Sequence, residues 1–489
     1  MQLGSKGFYL DRVYQVEGGR LLAWVFLAFC GVLLSLGVVY LSPLKILGLS
    51  AGIILFGASL FRPELGILGF IVLSSTILDL TKLPYVSVGM GSLHVPDMLL
   101  LFLLSVIPLR ILIHRIRLVK SPLSITLLLF FIGSFISIFT SLRLGGKPEF
   151  ISIYFRAACY YLLFFAVTNL VQDKKQLRLL AAGLIFLAFG VSIAAVLQAL
   201  VGPSLRLIPG RVETLSTLAE EVRGINRILP PGQTLVFAMS IVLGCLIVLD
   251  KPNAKHMAYY LIFGFLAAGN ILAFSRSTWI SICVSMLILF ILASRKQEMK
   301  ILRIFIFALS LAVIIVLSVK IADTGIYRYI TSSYSRAASL FSGKMKHSGT
   351  LTTRYKEIRY AVKSIKKHPV MGIGLGNTYR PGIWKKDKGY YAHNGYIWIL
   401  LKTGLVGFIP FLFFLLIAII QGFRNFFTIK DNFLKTLALG ASLAIIAICI
   451  SSQVNPLFMQ DSSIPVIAIL AGFIDVAGRI YKKEYGNLN

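Results

Sequence analysis

Long apolar segments, separated by short charged or Gly/Pro-rich connections, dominate the residue pattern of this chain. The segments are about 17 to 25 residues long, the length that a helix needs to cross a hydrocarbon layer of roughly 30 Å. A transmembrane β-barrel would instead show alternating apolar and polar residues in segments of about ten. The pattern therefore predicts an all-α polytopic membrane protein with about 12–14 transmembrane helices.

The apolar segments also place the expected spans along the chain. They lie at 21–41, 44–61, 65–80, 97–113, 122–141, 151–170, 177–200, 233–250, 257–274, 277–294, 301–320, 396–420, 434–452 and 463–480. The connection between the second and third spans, residues 62–64, is so short that a hairpin or a re-entrant segment would fit it equally well. We expect an N-terminal bundle (1–200), a transmembrane core (201–320), a large loop (321–395) and C-terminal helices (396–489).

Basic residues give the expected orientation, because cytoplasmic loops of membrane proteins carry an excess of Lys and Arg. Both tails and the even-numbered connections, such as 110–120 and 173–178, are basic, whereas the short odd-numbered connections contain few basic residues. We therefore expect both termini in the cytoplasm. The whole chain has 49 Lys and Arg against 19 Asp and Glu, a net charge of +30. In a membrane protein such an excess first reflects topology, so we expect no nucleic-acid partner.

The outward loop 321–395 is large enough to carry short helices, and it contains 14 Lys and Arg against three acids. Long loops are exempt from the charge rule, so topology does not explain this charge. Residues 354–368 have apolar residues on one helical face and basic residues on the other, which is typical of a helix in the membrane interface. The basic face is either simply solvated or lies beside anionic headgroups of membrane lipids or of a lipid substrate.

Two motifs follow in the same loop. In HPVMGIGLGN (368–377), Gly372, Gly374 and Gly376 alternate with apolar residues, but the Gly-Lys-Ser/Thr of a phosphate-binding loop is missing, so a tight backbone turn is the better interpretation. His393 and Asn394 come immediately before an apolar segment. At a helix N-terminus the dipole disfavours the imidazolium form, so a neutral His393 could accept a proton. The alternative is a helix cap or an interfacial anchor.

Three pieces of the chain together resemble the O-antigen ligase and O-antigen polymerase family of bacterial envelope glycosyltransferases. They are VRGINRILPPGQTLVFAMSI (222–241), LAFSRSTWISICVSMLI (272–288), and KKHPVMGIGLG (366–376) followed by YYAHNGYIWILLKTGLVGF (390–408). The resemblance implies a GT-C type fold and an outward site formed by two arginines and a histidine. Position by position these resemble Arg223, Arg276 and His393, with Arg227 as a rival for Arg223 because the chain continues into Pro-Pro-Gly-Gln. Asn394 and the three glycines support the site.

The resemblance implies an enzyme of the inner membrane whose active site faces the periplasm. It would transfer a polysaccharide from undecaprenyl pyrophosphate to an acceptor hydroxyl with inversion, and lipid A-core of lipopolysaccharide is the favoured acceptor. A polymerase of O-antigen or exopolysaccharide and a protein O-oligosaccharyltransferase stay open as alternatives. Because acids are scarce on the outward side, we expect neither a metal ion nor another cofactor. A transporter of lipid-linked glycan is the alternative outside enzymes, and it would predict ionisable residues near the bilayer midplane.

Overall fold

The computed structural model describes residues 43–75, 77, 85–88, 91–113, 116–201, 211–215, 225–230, 232–249, 256–293, 349–381 and 389–485. Most of these residues are helical, which confirms the all-α polytopic class. The helices are α1 (Pro43–Phe61), α2 (Pro63–Ser74), α3 (Val95–Leu112), α4 (Pro122–Arg143), α5 (Pro148–Cys159), α6 (Leu163–Leu170), α7 (Lys174–Val201), α8 (Gln233–Leu249), α9 (His256–Leu272), α10 (Arg276–Leu292), α11 (Gly349–Lys367), α12 (Gly395–Thr428), α13 (Asn432–Ser451) and α14 (Ile464–Tyr485).

Seven helical segments are long and apolar enough to cross a membrane, and one of them, Pro148–Leu170, combines α5 and α6 through a 3-10 turn. Five further apolar helices are shorter, namely parts or all of α1, α2, α8, α9 and α10. In the described part of the third expected span, 65–80, the helix is α2, which has 12 residues and ends at Ser74. A helix of this length rises about 18 Å, so it cannot cross the hydrocarbon layer alone. The expected spans 21–41 and 301–320 lie outside the described residues.

Two antiparallel β-hairpins interrupt the helices at positions where the sequence suggested only loops. Strands β1 (Tyr85–Val88) and β2 (Gly91–His94) form the first hairpin, which leads directly into α3. Strands β3 (Arg211–Leu215) and β4 (Ile225–Leu229) form the second, which connects α7 to α8. Strand β4 lies against α7 and α9, so the second hairpin packs on the helical bundle.

At one end of the bundle, polar contacts join α10, α12 and the turn between α13 and α14. The Asn394 side chain donates from Nδ2 to the Gln453 carbonyl oxygen at 3.0 Å. From the same turn, Asn455 Nδ2 donates to Ser277 Oγ at 2.9 Å. This end of the bundle, which we call the cleft end, therefore brings together the first residues of α10 and α12.

At the opposite end, a second group of contacts joins α7 to the start of α13 and α6 to α14. Lys174 and Asp431 form an ion pair, and Arg479 Nη2 donates to the Thr168 carbonyl oxygen at 2.8 Å. Lys174 belongs to the connection 173–178, and Asp431 to the connection between α12 and α13. Both connections are basic and were expected on the same side of the membrane, and they lie at the same end of the bundle. The residues of the two ends agree with the alternation expected from the sequence.

Candidate functional site

Helix α12 is broken at Gly404, whose φ of 63° and ψ of −167° are far from helical values. The break frees backbone groups that hydrocarbon cannot satisfy, and each must find another partner. The segment 369–374 supplies those partners. Leu405 N–H donates to the Pro369 carbonyl oxygen at 3.0 Å, and Ile373 N–H donates to the Leu401 carbonyl oxygen at 2.9 Å. The glycine-rich run thus forms backbone hydrogen bonds with α12 on both sides of the break at Gly404.

The glycines of this run are required by close backbone contact. Gly372 has a φ of 68°, and a Cβ on it would lie 2.6 Å from Gly404 N. A Cβ on Gly374, with φ 87°, would lie 2.4 Å from Ser141 Cα in α4. A side chain on Gly376 would lie 2.7 Å from the Lys147 carbonyl oxygen. The run therefore packs between α4 and α12, and it anchors the large loop to the helical bundle.

Lys402 reinforces this anchor from inside α12. Its side chain is fully buried, and Nζ donates to the Asn377 carbonyl oxygen at the end of the glycine run. The ammonium group also faces the rings of Tyr154, Tyr390 and Trp398, with centroids 5.7, 5.7 and 5.9 Å away. Cation–π contacts of this kind compensate part of the cost of burying the charge. Lys402 thus fixes the end of the glycine-rich run to α12 through one hydrogen bond and three contacts with aromatic rings.

His393 lies at the point where the large loop enters α12. Asn394 is the N-cap of this helix, and its side chain accepts a hydrogen bond from Ile397 N–H at 3.0 Å, as is usual for asparagine at this position. The predicted place of His393 beside a helix N-terminus is therefore confirmed. Its side chain is 35% exposed, so the ring is held by the fold but stays accessible.

A buried carboxylate holds the ring of His393. Glu357 in α11 has its Oε2 2.8 Å from His393 Nδ1 and 3.3 Å from the His393 backbone N–H. Its other oxygen, Oε1, accepts from Arg380 Nη2 at 2.8 Å. The side chains of Glu357 and Arg380 are 4% and 1% exposed, so this pair is shielded from water. When Nδ1 donates to the carboxylate, the lone pair of a neutral ring lies on Nε2.

Arg380 is itself fixed by hydrogen bonds to its neighbours. Nε donates to Tyr379 Oη at 3.0 Å, and Nη2 also donates to the Tyr391 carbonyl oxygen at 3.1 Å. A charge buried with several good partners resists rearrangement, because moving it would leave buried polar groups without a hydrogen-bond partner. Arg380 therefore fixes Glu357, and Glu357 in turn fixes the orientation of His393.

A cleft of about 530 Å³ opens beside His393, between α11, the start of α12 and the turn after α13. One part of its wall is apolar, from Ile358, Ile397 and Val454. Polar side chains, among them those of Asn394 and Gln453, line the wall near the histidine. Its size falls within the range of about 300–1,000 Å³ that is usual for small-molecule sites.

Arg276 is the first residue of α10, at the cleft end of the bundle. The turn before it is strained, because the buried Phe274 has a φ of 45°, which costs of order 1–3 kcal/mol for a non-glycine residue. Next to Arg276, Ser277 receives the hydrogen bond from Asn455, and the turn of Asn455 also binds Asn394 through Gln453. One turn thus links the starts of α10 and α12, so Arg276 and His393 each border it.

Of the other two predicted arginines, Arg227 and Arg223, the structure describes only Arg227. Arg227 lies in strand β4 opposite Glu213, on the hairpin that packs against α9, the helix preceding Arg276. Arg223 lies outside the described residues. Among the residues that the structure does describe, no three His, Cys, Asp or Glu side chains are grouped so that they could hold a metal ion.

Sequence reasoning missed Glu357, Arg380 and Lys402. A signal for Glu357 was present in the sequence. The large loop contains 14 basic residues but only three acids, and Glu357 is one of the three. Its amphipathic helix was predicted at 354–368 and is confirmed as α11, although the helix begins earlier, at Gly349. Lys402 carried a comparable signal, since a charged residue within an apolar span is rare.

Comparison with known protein families addresses the same part of the chain. Residues 261–412 match a family model described as O-antigen ligase. The resemblance predicted from the sequence motifs is confirmed. The match covers nearly a third of the chain and includes Arg276, the glycine-rich run and His393, whereas Arg223 and Arg227 precede it.

The O-antigen ligase match supports glycan transfer of the O-antigen ligase type as the general activity, with a lipid-linked glycan and an acceptor as substrates. It also agrees with the membrane-spanning helices. No curated protein gave a significant match to the chain.

Proposed function

We propose that the protein transfers a polysaccharide from undecaprenyl pyrophosphate to an acceptor hydroxyl, without a metal ion and with inversion at the anomeric carbon. The observation that carries the proposal is the contact between His393 and Glu357 inside an accessible cleft. A histidine with one nitrogen fixed by a buried carboxylate and the other free is the arrangement used for general-base catalysis. The family match supplies the substrate class.

In this proposal His393 activates the acceptor. Nδ1–H donates to Glu357, so Nε2 takes the proton as the acceptor oxygen attacks the anomeric carbon of the donor sugar. The glycosidic bond to the diphosphate oxygen breaks on the opposite face, and undecaprenyl pyrophosphate leaves with the bonding electron pair. The carboxylate of Glu357 stabilises the positive charge that develops on the ring. His393 then releases its proton to water.

The arginines stabilise the departing diphosphate. Arg276 has the guanidinium fork that suits phosphate oxygens, and its position next to Ser277 brings it to the same turn as the start of α12. Arg227 or Arg223 is the second arginine of this group. Their positive charge takes the place of the metal ion that stabilises the leaving phosphate or diphosphate in many other enzymes. Asn394 and Gln453 are placed to hydrogen-bond the sugars, while the glycines Gly372, Gly374 and Gly376 act by holding the loop in place.

The favoured reaction is ligation of O-antigen to lipid A-core, a reaction that requires the cleft to face the periplasm. The N- and C-termini then lie in the cytoplasm, as the basic connections predict. Cysteine labelling in spheroplasts with an impermeant reagent tests this orientation at two exposed positions, Lys363 in α11 and Lys120 before α4. Labelling of Lys363→Cys alone agrees with the proposal, and labelling of Lys120→Cys alone contradicts it.

Transfer by the purified protein tests the activity itself. The protein in detergent is incubated with a lipid-linked glycan and lipid A-core, and the joined product is measured by mass spectrometry. Product formed in detergent cannot come from transport, because no compartments exist there. Product from the wild type but not from His393→Ala supports the enzyme. If no acceptor yields product while the glycan lipid crosses the bilayer of proteoliposomes, the protein is a transporter.

A further inference from the structure

The exposed face of α12 indicates where the bilayer begins along this helix. With 34 residues α12 rises about 51 Å, far more than the roughly 30 Å of a hydrocarbon layer. None of residues 395–404, all of which the structure describes, is exposed. Directly after the break at Gly404, exposed apolar residues follow one another along the helix, namely Leu405, Ile409, Phe413, Leu416 and Ile420. Such a row on a membrane-spanning helix faces lipid, so the hydrocarbon begins near the break.

Helix α4 ends at the same level. Ser137 Oγ in this helix donates to the Lys402 carbonyl oxygen at 2.7 Å, two residues before the break in α12. Ser141 lies in the last turn of α4, and a Cβ added to Gly374 would lie 2.4 Å from its Cα. The end of one apolar helix and the break of another therefore coincide. We call this level, at Ser141 and Gly404, the membrane boundary.

Helix α11 runs beside the first part of α12 towards the membrane boundary. Near the start of α11, Glu357 contacts His393, which immediately precedes the Asn394 cap of α12. Beyond the end of α11, the Pro369 carbonyl oxygen accepts from Leu405 N–H at 3.0 Å. Both segments advance by 12 residues between these two contacts, which is about 18 Å at helical rise. The helix therefore stands beside α12, with its end at the membrane boundary.

The end of α11 is basic, and the turn that follows it is apolar. Lys366 and Lys367 are exposed in its last turn. Val370 and Met371 follow, and they are 53% and 51% exposed. The Val370 carbonyl oxygen accepts from Val406 N–H at 3.1 Å, which places these two apolar residues at the membrane boundary. We call the two lysines and the two apolar residues the α11 tip.

The chemistry of the α11 tip suits one kind of partner, the surface of a bilayer that contains anionic phospholipid. Exposed apolar side chains at the hydrocarbon edge, with lysines about one turn away from it, are typical of a helix held in the headgroup region. Residues 358–371 contain no acid, so the local sequence does not offset the lysines. The tip does not contribute to the wall of the cleft, and a ligand of the cleft therefore does not account for it.

We propose that the α11 tip docks on the bilayer and binds anionic phospholipid. Its two lysines contact the headgroup phosphate, and its two apolar side chains insert among the acyl chains. Each lysine near an anionic surface adds attraction equivalent to roughly 5-fold in affinity. Docking fixes one end of the helix whose other end carries Glu357. This inference goes beyond the proposed function and does not depend on it.

Photo-crosslinking of the full-length protein in nanodiscs tests the contact with lipid. The photoreactive amino acid benzoylphenylalanine replaces Met371 or, as a control, the exposed Tyr355 near the other end of α11. The nanodiscs contain equal amounts of phosphatidylglycerol and phosphatidylcholine, and mass spectrometry identifies the crosslinked lipid. We expect crosslinks at Met371 to favour phosphatidylglycerol by about 5-fold or more. At Tyr355 we expect several-fold fewer lipid crosslinks, because about 18 Å of helix separates it from Lys367.

A double variant tests the role of the lysines in the same experiment. Lys366→Gln with Lys367→Gln keeps polar side chains but removes both charges, so we expect the two lipids to be crosslinked at Met371 in nearly equal amounts. The control pair, Lys356→Gln with Arg359→Gln, removes two exposed charges from the part of α11 that lies further from the boundary. This control should keep the preference for phosphatidylglycerol, because charges beyond about 10 Å are largely screened.

Three results would overturn the inference. An absence of lipid crosslinks at Met371 would show that the α11 tip does not reach the bilayer. Equal crosslinking of the two lipids in the otherwise wild-type protein, or an unchanged preference in Lys366→Gln with Lys367→Gln, would show that the lysines do not select anionic lipid. As many lipid crosslinks at Tyr355 as at Met371 would show that α11 lies flat on the bilayer and is not held by its end. The crosslinks are measured without a glycan substrate, so their outcome is independent of whether the protein transfers glycan.

Discussion

Glu357 Oε2 lies 2.8 Å from His393 Nδ1, and the two residues are 36 positions apart in the chain. The contact joins α11 to the start of α12, so it forms only when the large loop is folded onto the bundle. Arg380 completes the arrangement from the other oxygen of the carboxylate, at 2.8 Å. Glu357 thus sets the orientation of the candidate base, His393, from a distant part of the chain.

Replacing Glu357 by Gln tests the importance of this carboxylate. The amide keeps the size of the side chain but removes its charge, and its NH₂ group favours the wrong tautomer of His393. We expect turnover to fall by about 100-fold or more, within the range known for general-base catalysis. Thermal unfolding should also occur at a lower temperature, because the buried Arg380 loses the negative charge that compensates its own. The exposed Glu149, replaced by Gln, is the control, and wild-type turnover in Glu357→Gln would refute this role.

Arg276→Lys tests whether the start of α10 binds a diphosphate. Lysine keeps the charge but lacks the bidentate fork, so we expect most of the transfer activity to be lost while the protein still inserts and folds. The same substitution at the exposed Arg359 should leave activity unchanged. Retained activity in Arg276→Lys would mean that the arginine merely anchors the helix at the interface, a role that lysine fills equally well. Lysine at Arg223 and at Arg227 separately shows which of them belongs to the site.

Gly404→Ala tests the break in α12. The new Cβ would lie 2.2 Å from the Val370 carbonyl oxygen, at a backbone conformation with φ 63°. Backbone strain alone costs about 1–3 kcal/mol, and the steric overlap adds to it, so we expect a clear fall in unfolding temperature or a loss of folded protein. A Cβ added to Gly190 in α7 would meet nothing within 4 Å, so Gly190→Ala is the matched control and should be neutral or slightly stabilising. Equal stability of the two variants would contradict the close backbone contact between Gly404 and the segment 369–374.

The ion pair of Lys174 and Asp431 predicts a pH dependence of stability. Burial alone would raise the pKa of Asp431, but hydrogen bonds from Lys174 and from Leu434 N–H, with the charge of Lys174, lower it overall. Its contribution is therefore present above the unfolded value of about 3.9 and is lost as the pH falls through the lower folded value. Asp431→Asn keeps the N-cap of α13, so it removes the charge alone. Unfolding temperatures of wild type and Asp431→Asn should converge at low pH, and a constant difference would contradict this assignment.

The sequence predicted those features that depend on local pattern. Apolar segment length indicated most of the described helices, and the Asn394 cap marked the start of α12. Strand pairing in the two hairpins was missed, because their short segments lack a clear alternation of apolar and polar residues. The length of α2 was also overestimated, since hydropathy does not show where a helix ends.

Long-range partners explain what the sequence could not predict in the site. The pairing of Glu357 with His393 depends on how the large loop folds back, and no local spacing encodes it. The break at Gly404 is likewise invisible to hydropathy, although its partner, the glycine-rich run, was recognised as a tight turn. Arg276 was found through its motif, but its connection to the turn of Asn455 required the packed structure.

Turnover of His393→Gln, measured with excess chelator present, tests the central claim most directly. Purified wild type, His393→Gln and His393→Ala are compared for product formation from a lipid-linked glycan and acceptor, with donor binding measured in parallel. Glutamine keeps a hydrogen bond but cannot take the proton. We therefore expect that, with chelator present, only the wild type forms product, and that both variants bind the donor nearly normally. Near-normal turnover of His393→Gln would contradict the general-base role, and wild-type activity that chelator abolishes and Mg²⁺ or Mn²⁺ restores would contradict the metal-independent mechanism.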